Sequence, residues 1–112
     1  MKKDPKIFLR HIIESIEAIE SHTNKITKEK FSENLTVQDA VIRRIEIIGE
    51  AVKNLPAEFK KNHPEIEWRE IAGMRDKLIH EYFGISVNIV WTTVKKDIPK
   101  LKKQIRELLE KF

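Results

Sequence analysis

Apolar residues recur along this chain with the period of an α-helix, and this periodicity restricts the possible folds more than any other feature. The first stripe follows Asp4 and Pro5 and continues to about Thr23. Its members are spaced three or four residues apart, as on one face of a helix. They are Phe8, Leu9, Ile12, Ile13, Ile16 and Ile19. Asp is a favourable N-cap and Pro suits the first turn, so the sequence predicts that the first helix begins here.

A second long helix is predicted after a short polar segment that carries Phe31 as an apolar anchor. Residues 36–39, Thr-Val-Gln-Asp, resemble a capping box in which Asp replaces the usual Glu or Gln. The apolar positions that follow are broad enough to pack on two sides, and they continue to about Asn54. The stretch from Pro56 to Pro64 is expected to be irregular, with one short helical turn around Phe59.

Two more helical stretches complete the pattern. The third is predicted from Glu65 to Tyr82, and Gly84 is expected to end it as a C-terminal glycine. Ser86 can cap the last helix. Pro99 should kink or split that helix near Asp97, because proline lacks the backbone N–H and its ring clashes with the preceding turn.

Composition supports an all-α fold. The 112 residues include only three glycines and four prolines, and 36% of them are charged. Strand-like alternation is not found along the sequence. The sequence therefore predicts one domain over residues 1–112, folded as an up-and-down bundle of four to five helices.

Charge and residue usage exclude several classes of function. The chain has no cysteine, which excludes disulfides, zinc–thiolate sites and cysteine nucleophiles. Its net charge of +4 comes from interleaved charges, which permit nucleic-acid binding without requiring it. No run approaches the ~18 apolar residues of a membrane helix. The N-terminal residues carry no apolar signal segment, so the expected location is the cytoplasm, without membrane contact.

Residues 75–82 of the third helix carry the motif Arg-x4-His-x-Tyr. Arg75 offers a planar cation suited to phosphate oxygens. His80 belongs to the residue type that both accepts and donates protons near neutral pH. Tyr82 adds a hydroxyl that can donate, accept or be modified. This combination indicates phosphodiester chemistry.

Helical geometry limits how these side chains can meet. Arg75 and Tyr82 are seven residues apart and point within about 20° of each other, whereas Arg75 and His80 diverge by about 140°. One straight helix cannot easily direct Arg75 and His80 at one atom, so a second copy of the helix is expected to complete the site. Asp76 precedes His80 by one turn and can support its imidazole. Gly73 would allow two backbones to approach there.

The residues alone leave two other interpretations open. The domain could bind a nucleotide or RNA without cleaving it, as a partner subunit of another protein, in which case His80 would be dispensable. It could also be a purely structural bundle whose motif makes dimer contacts.

The order of residues along nearly the whole chain resembles the HEPN-domain proteins, specifically the HepT-like group. The matching segments are 35–51, 64–69, 71–75 and 78–84, together with Val90-Trp91 and Asp97-Ile98-Pro99. So many matches in order are much more specific than the short motif.

The resemblance implies a metal-independent endoribonuclease that acts as the toxin of a type VII-like toxin–antitoxin pair and needs no cofactor. In this family two Arg-x4-His motifs meet in the cleft of a homodimer, so Arg75 and His80 would be catalytic and Asp76 and Tyr82 supporting. The implied partners are an RNA substrate and an MntA-like nucleotidyltransferase antitoxin, which would bind the homodimer or form a higher complex with it. The antitoxin transfers AMP to the motif tyrosine, which corresponds to Tyr82. Asp76 departs from the polar, often Asn, residue usual after the motif Arg.

Overall fold

The computed structural model describes residues 4–80 and 87–112, with the backbone alone at residue 75 and residues 77–80. Every regular element within these ranges is helical, which confirms the predicted all-α class. The helices are α1 (Pro5–Thr23), α2 (Lys28–Glu33), α3 (Leu35–Asn54), α4 (Ala57–Lys61), α5 (Trp68–His80), α6 (Val87–Thr92) and α7 (Ile98–Glu110). A π-helical turn, Thr93–Asp97, joins α6 to α7. The expectations for Gly84 and Ser86 fall outside the described residues.

The start of α1 is confirmed, whereas the predicted start of the next long helix is wrong. The Asp4 carboxylate accepts a hydrogen bond from the backbone N–H of Lys6 at 3.0 Å. At α3 the N-cap is Asn34, whose Oδ1 accepts from the N–H of Val37 at 3.1 Å. Thr36 therefore lies inside the helix. Asn is at least as strong a cap as Thr, and here it is the single residue between α2 and α3.

The short helices α2 and α4 are held by aromatic side chains. Phe31 on α2 is fully buried, and its ring centroid lies 5.1 Å from that of Trp91 on α6. The ring of Phe59 on α4 contacts the ring of His63, with centroids 4.6 Å apart and planes inclined by 48°. Phe31 was predicted as an anchor, and the short helical turn predicted around Phe59 is α4. The two side chains fix the connections on either side of α3.

The core lies between α1, α3, α5 and the C-terminal helices. Its members are apolar side chains at helical spacing, as the sequence predicted. The fully buried positions include Leu9, Ile12, Ile16, Ile19, Phe31, Val41, Ile48 and Ile105. None of the helices in the described ranges is long and apolar enough to cross a bilayer.

Contacts at opposite ends of α1 and α7 show that the two helices run antiparallel. Lys102, early in α7, pairs with Glu20 near the end of α1, with an Nζ–Oε1 distance of 2.7 Å. At the other end, the Lys6 ammonium lies 5.7 Å from the centroid of the Phe112 ring. The up-and-down arrangement expected from the sequence is present in this pair.

Helices α5 and α3 follow the same alternation. Gln104 of α7 donates to the Glu65 carbonyl just before α5, and Lys100 pairs with Glu67, so α5 runs antiparallel to α7. Phe8 near the start of α1 lines one groove with Asn54 at the end of α3, so α3 also runs antiparallel to α1. It follows that α3 and α5 are antiparallel neighbours.

The predicted disruption near Asp97 takes the form of the π-helical turn. The N–H of Ile98 donates to the Thr93 carbonyl, five residues back, instead of four. This widened turn ends at Asp97, two residues before Pro99, which lies in the first turn of α7.

Candidate active site

The backbone of α5 carries most of the predicted motif on one uninterrupted helix. It is α-helical from Trp68 to His80 and therefore includes Arg75 and Asp76. An α-helix turns about 100° and rises about 1.5 Å per residue. The Cα positions of Arg75 and His80 are thus about 7.5 Å apart along the axis and diverge by about 140°, as the sequence argument assumed. Tyr82 and the side chains of Arg75 and His80 lie outside the described part of the chain.

The start of α5 is fixed by Trp68. Its ring is 8% exposed and its Nε1–H donates to the His63 carbonyl at 3.0 Å. The Phe59 ring lies 6.3 Å from it. About three turns of helix separate this anchor from His80, so the packing of Trp68 and Ile71 sets the direction in which the motif projects.

The helix begins three residues later than predicted, at Trp68 instead of Glu65. The backbone N–H of Trp68 donates to the Ile66 carbonyl, and that of Ile71 donates to the Glu67 carbonyl. Ile66 is itself buried, 3% exposed. The residues before Trp68 are therefore packed as a turn, which places the first α-helical bond at Glu67.

A cross-helix ion pair joins α3 to the motif. Lys53 Nζ lies 2.8 Å from Asp76 Oδ1, with the two side chains 38% and 45% exposed. The sequence predicted that Asp76 supports His80, whereas it gave no indication of Lys53. The imidazole of His80 is outside the described residues, so that expectation stays a prediction. The residues of the pair are 23 positions apart, and no local pattern signals such a pairing.

The flank of α5 around Gly73 is open. A Cβ atom added to Gly73 would meet nothing within 4 Å. Gly73 and His80 are seven residues apart, which places them within about 20° of each other around the helix. Within the described residues of one chain, nothing fills the space beside Gly73, so another backbone can approach that flank.

Fold and motif together define a class: an all-helical bundle with the Arg and His positions of an Arg-x4-His motif on one helix. The family model described as "Ribonuclease HepT-like" matches residues 12–108. The chain therefore belongs to the HepT-like ribonuclease family. This confirms the resemblance seen in the sequence and the expectation of a ribonuclease.

Similar proteins carry the same description. A "Probable ribonuclease HepT" of Thermococcus cleftensis is 55% identical over 108 residues, covering 96% of this chain and 98% of the relative. A "Putative RNase" of Caldanaerobacter subterraneus is 49% identical over 109 residues, covering 97% of both. A "Gamma-glutamylcyclotransferase and putative RNase" of Methanocaldococcus jannaschii is 55% identical over all 112 residues, and the chain spans 50% of its length. No solved structure gives a significant match.

Proposed function

We propose that this chain is a metal-independent endoribonuclease whose active site is completed by a second copy of the chain. The observation that carries the proposal is the uninterrupted helix α5, which separates the Arg75 and His80 positions by about 140°. Two copies of the helix, facing each other across a two-fold axis, bring Arg75 of one subunit towards His80 of the other. The open flank beside Gly73 lies on the His80 side of the helix.

The chemistry uses the nucleophile that RNA itself supplies. The 2′-OH oxygen attacks the adjacent phosphorus, and the 5′-oxygen leaves as the P–O5′ bond breaks. His80 acts in this step as general base or general acid, taking the 2′-OH proton or protonating the leaving oxygen. Arg75 holds the phosphate and stabilises the charge that develops on its oxygens. The products are a 2′,3′-cyclic phosphate and a free 5′-hydroxyl.

Regulation is proposed to act through Tyr82. A partner nucleotidyltransferase would transfer AMP from ATP to its hydroxyl oxygen, and pyrophosphate would leave as the new O–P bond forms. The modification adds a phosphodiester charge and an adenosine beside the motif. Both would occupy space and repel the RNA backbone, so the modified toxin is inactive. In this scheme the chain is the toxin of a toxin–antitoxin pair, and the nucleotidyltransferase is its antitoxin.

The decisive experiment is RNA cleavage in excess chelator by the wild type and by His80→Ala. We expect the variant to be slower by about 10²–10⁴, the usual loss for a positioned acid–base group. His22→Ala is the matched control, because His22 is an exposed histidine in the last turn of α1. Loss of cleavage in chelator, or equal rates for wild type and His80→Ala, would contradict the mechanism.

Mixing two inactive variants tests the composite site. Arg75→Ala and His80→Ala, unfolded together and refolded, form mixed dimers in which one of the two sites has both groups intact. Random assembly would restore about a quarter of the wild-type sites. Activity no higher than that of the separate variants would show that each subunit has a self-contained site.

A further inference from the structure

The ion pair between Lys53 and Asp76 lies directly beside the motif. Asp76 follows Arg75 in sequence and precedes His80 by one turn of the described helix. Its carboxylate accepts a hydrogen bond from Lys53 Nζ at 2.8 Å. Lys53 belongs to the last turn of α3, so the bond connects the motif helix to a neighbouring element of the core.

The negative charge of Asp76 is unfavourable for RNA binding. A carboxylate beside a site that must hold a phosphodiester repels the substrate, and in a partly exposed position this repulsion is only partly screened. A lysine ammonium at hydrogen-bond distance offsets the charge of this carboxylate and forms a short dipole with it. The field of a dipole decreases faster with distance than that of a charge, so the phosphate experiences little repulsion.

The pair also restrains the carboxylate. The side chain of Asp76 is 45% exposed, so the contact with Lys53 restricts a carboxylate that solvent can reach. The short contact with Lys53 directs one carboxylate oxygen towards α3. Antiparallel packing places the next turn of α5, which ends at His80, near the level of the preceding turn of α3, around Gly49. The restraint therefore acts at the part of α5 where the motif is completed.

We propose that Lys53 is a positioning residue of the ribonuclease site, which neutralises Asp76 and holds it against α3. This inference rests on the proposed function of the motif. Lys53 acts through Asp76 and does not touch the RNA. The role explains how the chain combines an acidic residue next to the motif arginine with binding of a polyanion.

The test compares kcat and KM for RNA cleavage, at low and high salt, among variants of Lys53 with and without Asp76→Asn. We expect Lys53→Met to lower kcat/KM by about tenfold at low salt, mainly through KM, and by less at high salt. Adding Asp76→Asn to Lys53→Met should recover much of the loss, because the negative charge that Lys53 offsets is then removed as well. Lys53→Arg keeps the charge and should remain close to the wild type.

A matched control separates positioning from stability. Lys102 forms a similar ion pair with Glu20, at 2.7 Å between α7 and α1. Lys102→Met should change the melting temperature about as much as Lys53→Met and should leave KM nearly unchanged. Binding of an uncleavable 2′-O-methyl RNA, followed by fluorescence anisotropy, should weaken in Lys53→Met and recover in the double variant.

Three results would overturn the inference. Lys53→Met with wild-type KM would remove any role for the lysine. A double variant as slow as Lys53→Met would mean that Lys53 contacts RNA itself. If Lys102→Met raised KM equally, the effect of Lys53→Met would be due to the loss of net positive charge or of stability. Wild-type and His80→Ala rates, measured in parallel, report separately on the proposed function, since equal rates would reject that function whatever the lysine variants show.

Discussion

Replacing Ser15 by alanine should stabilise this protein, although most substitutions in a protein core destabilise it. Ser15 lies on the buried face of α1 and is 1% exposed. Among the residues that the structure describes, no partner lies within hydrogen-bond distance of its Oγ. Thr23 on the same helix differs, because its hydroxyl donates to the Ile19 carbonyl at 2.8 Å.

The expected gain is the sum of three effects. An unpaired buried hydroxyl costs about 1–3 kcal/mol, and the lower value suits a small group in a helix. Alanine exceeds serine in intrinsic helix propensity by roughly 0.5 kcal/mol. The small void left by one oxygen, about 15 Å³, costs roughly 0.4 kcal/mol. The net effect is a gain of about 1 kcal/mol, which corresponds to a rise in Tm of about 4 °C for a chain of this size.

The assay is thermal unfolding followed by circular dichroism, at one protein concentration because the chain is expected to dimerise. Thr23→Val is the matched control: it removes a bonded hydroxyl and should lower the free energy of unfolding by about 1 kcal/mol. An unchanged or lower Tm for Ser15→Ala would refute the reasoning, as would equal effects of the two substitutions.

Three further predictions address the caps, the anchor of α5 and the proposed regulation. Asn34→Ala should cost about 1 kcal/mol in urea unfolding, whereas Thr36→Ala, inside the same helix, should change it little. Trp68→Ala should cost about 3–5 kcal/mol and reduce RNA cleavage by the remaining folded protein, since the ring sets the start of the motif helix. Tyr82→Phe should retain cleavage but gain no adenylyl mass on incubation with ATP, magnesium and the nucleotidyltransferase. Modification equal to that of the wild type would reject Tyr82 as the acceptor.

Local patterns predicted most of the fold because the interactions that determine helices are local. Asp4 and Pro5 marked the start of α1, and Phe31 was identified as an anchor because it is an isolated aromatic residue in a polar segment. The predicted start of α3 was wrong because Asn34 and Thr36 are both good caps. The choice between them depends on where α2 ends, and the capping pattern does not predict that position.

The candidate site was only partly predictable for a related reason. The motif could be identified from its residue types, and its helical geometry followed from the periodicity. Lys53 could not be identified, because its pairing with Asp76 depends on how α3 packs against α5. Such pairings are decided by the relative rotation and height of two helices, and many lysines along the chain have the same local surroundings.

The π-helical turn between α6 and α7 has a consequence for the register of the whole C-terminal segment. Val90, Val94 and Ile98 are all buried although they are spaced by four residues, a period longer than the 3.6 of an α-helix. The π-helical turn accommodates this excess, which amounts to roughly one residue over positions 93–97. Deleting one residue from positions 93–97 would therefore let this turn close into a continuous α-helix without rotating the segment after it. Leu101 and Ile105 would stay in the core, whereas a one-residue deletion at positions 98–100, inside α7, would rotate both side chains by about 100°.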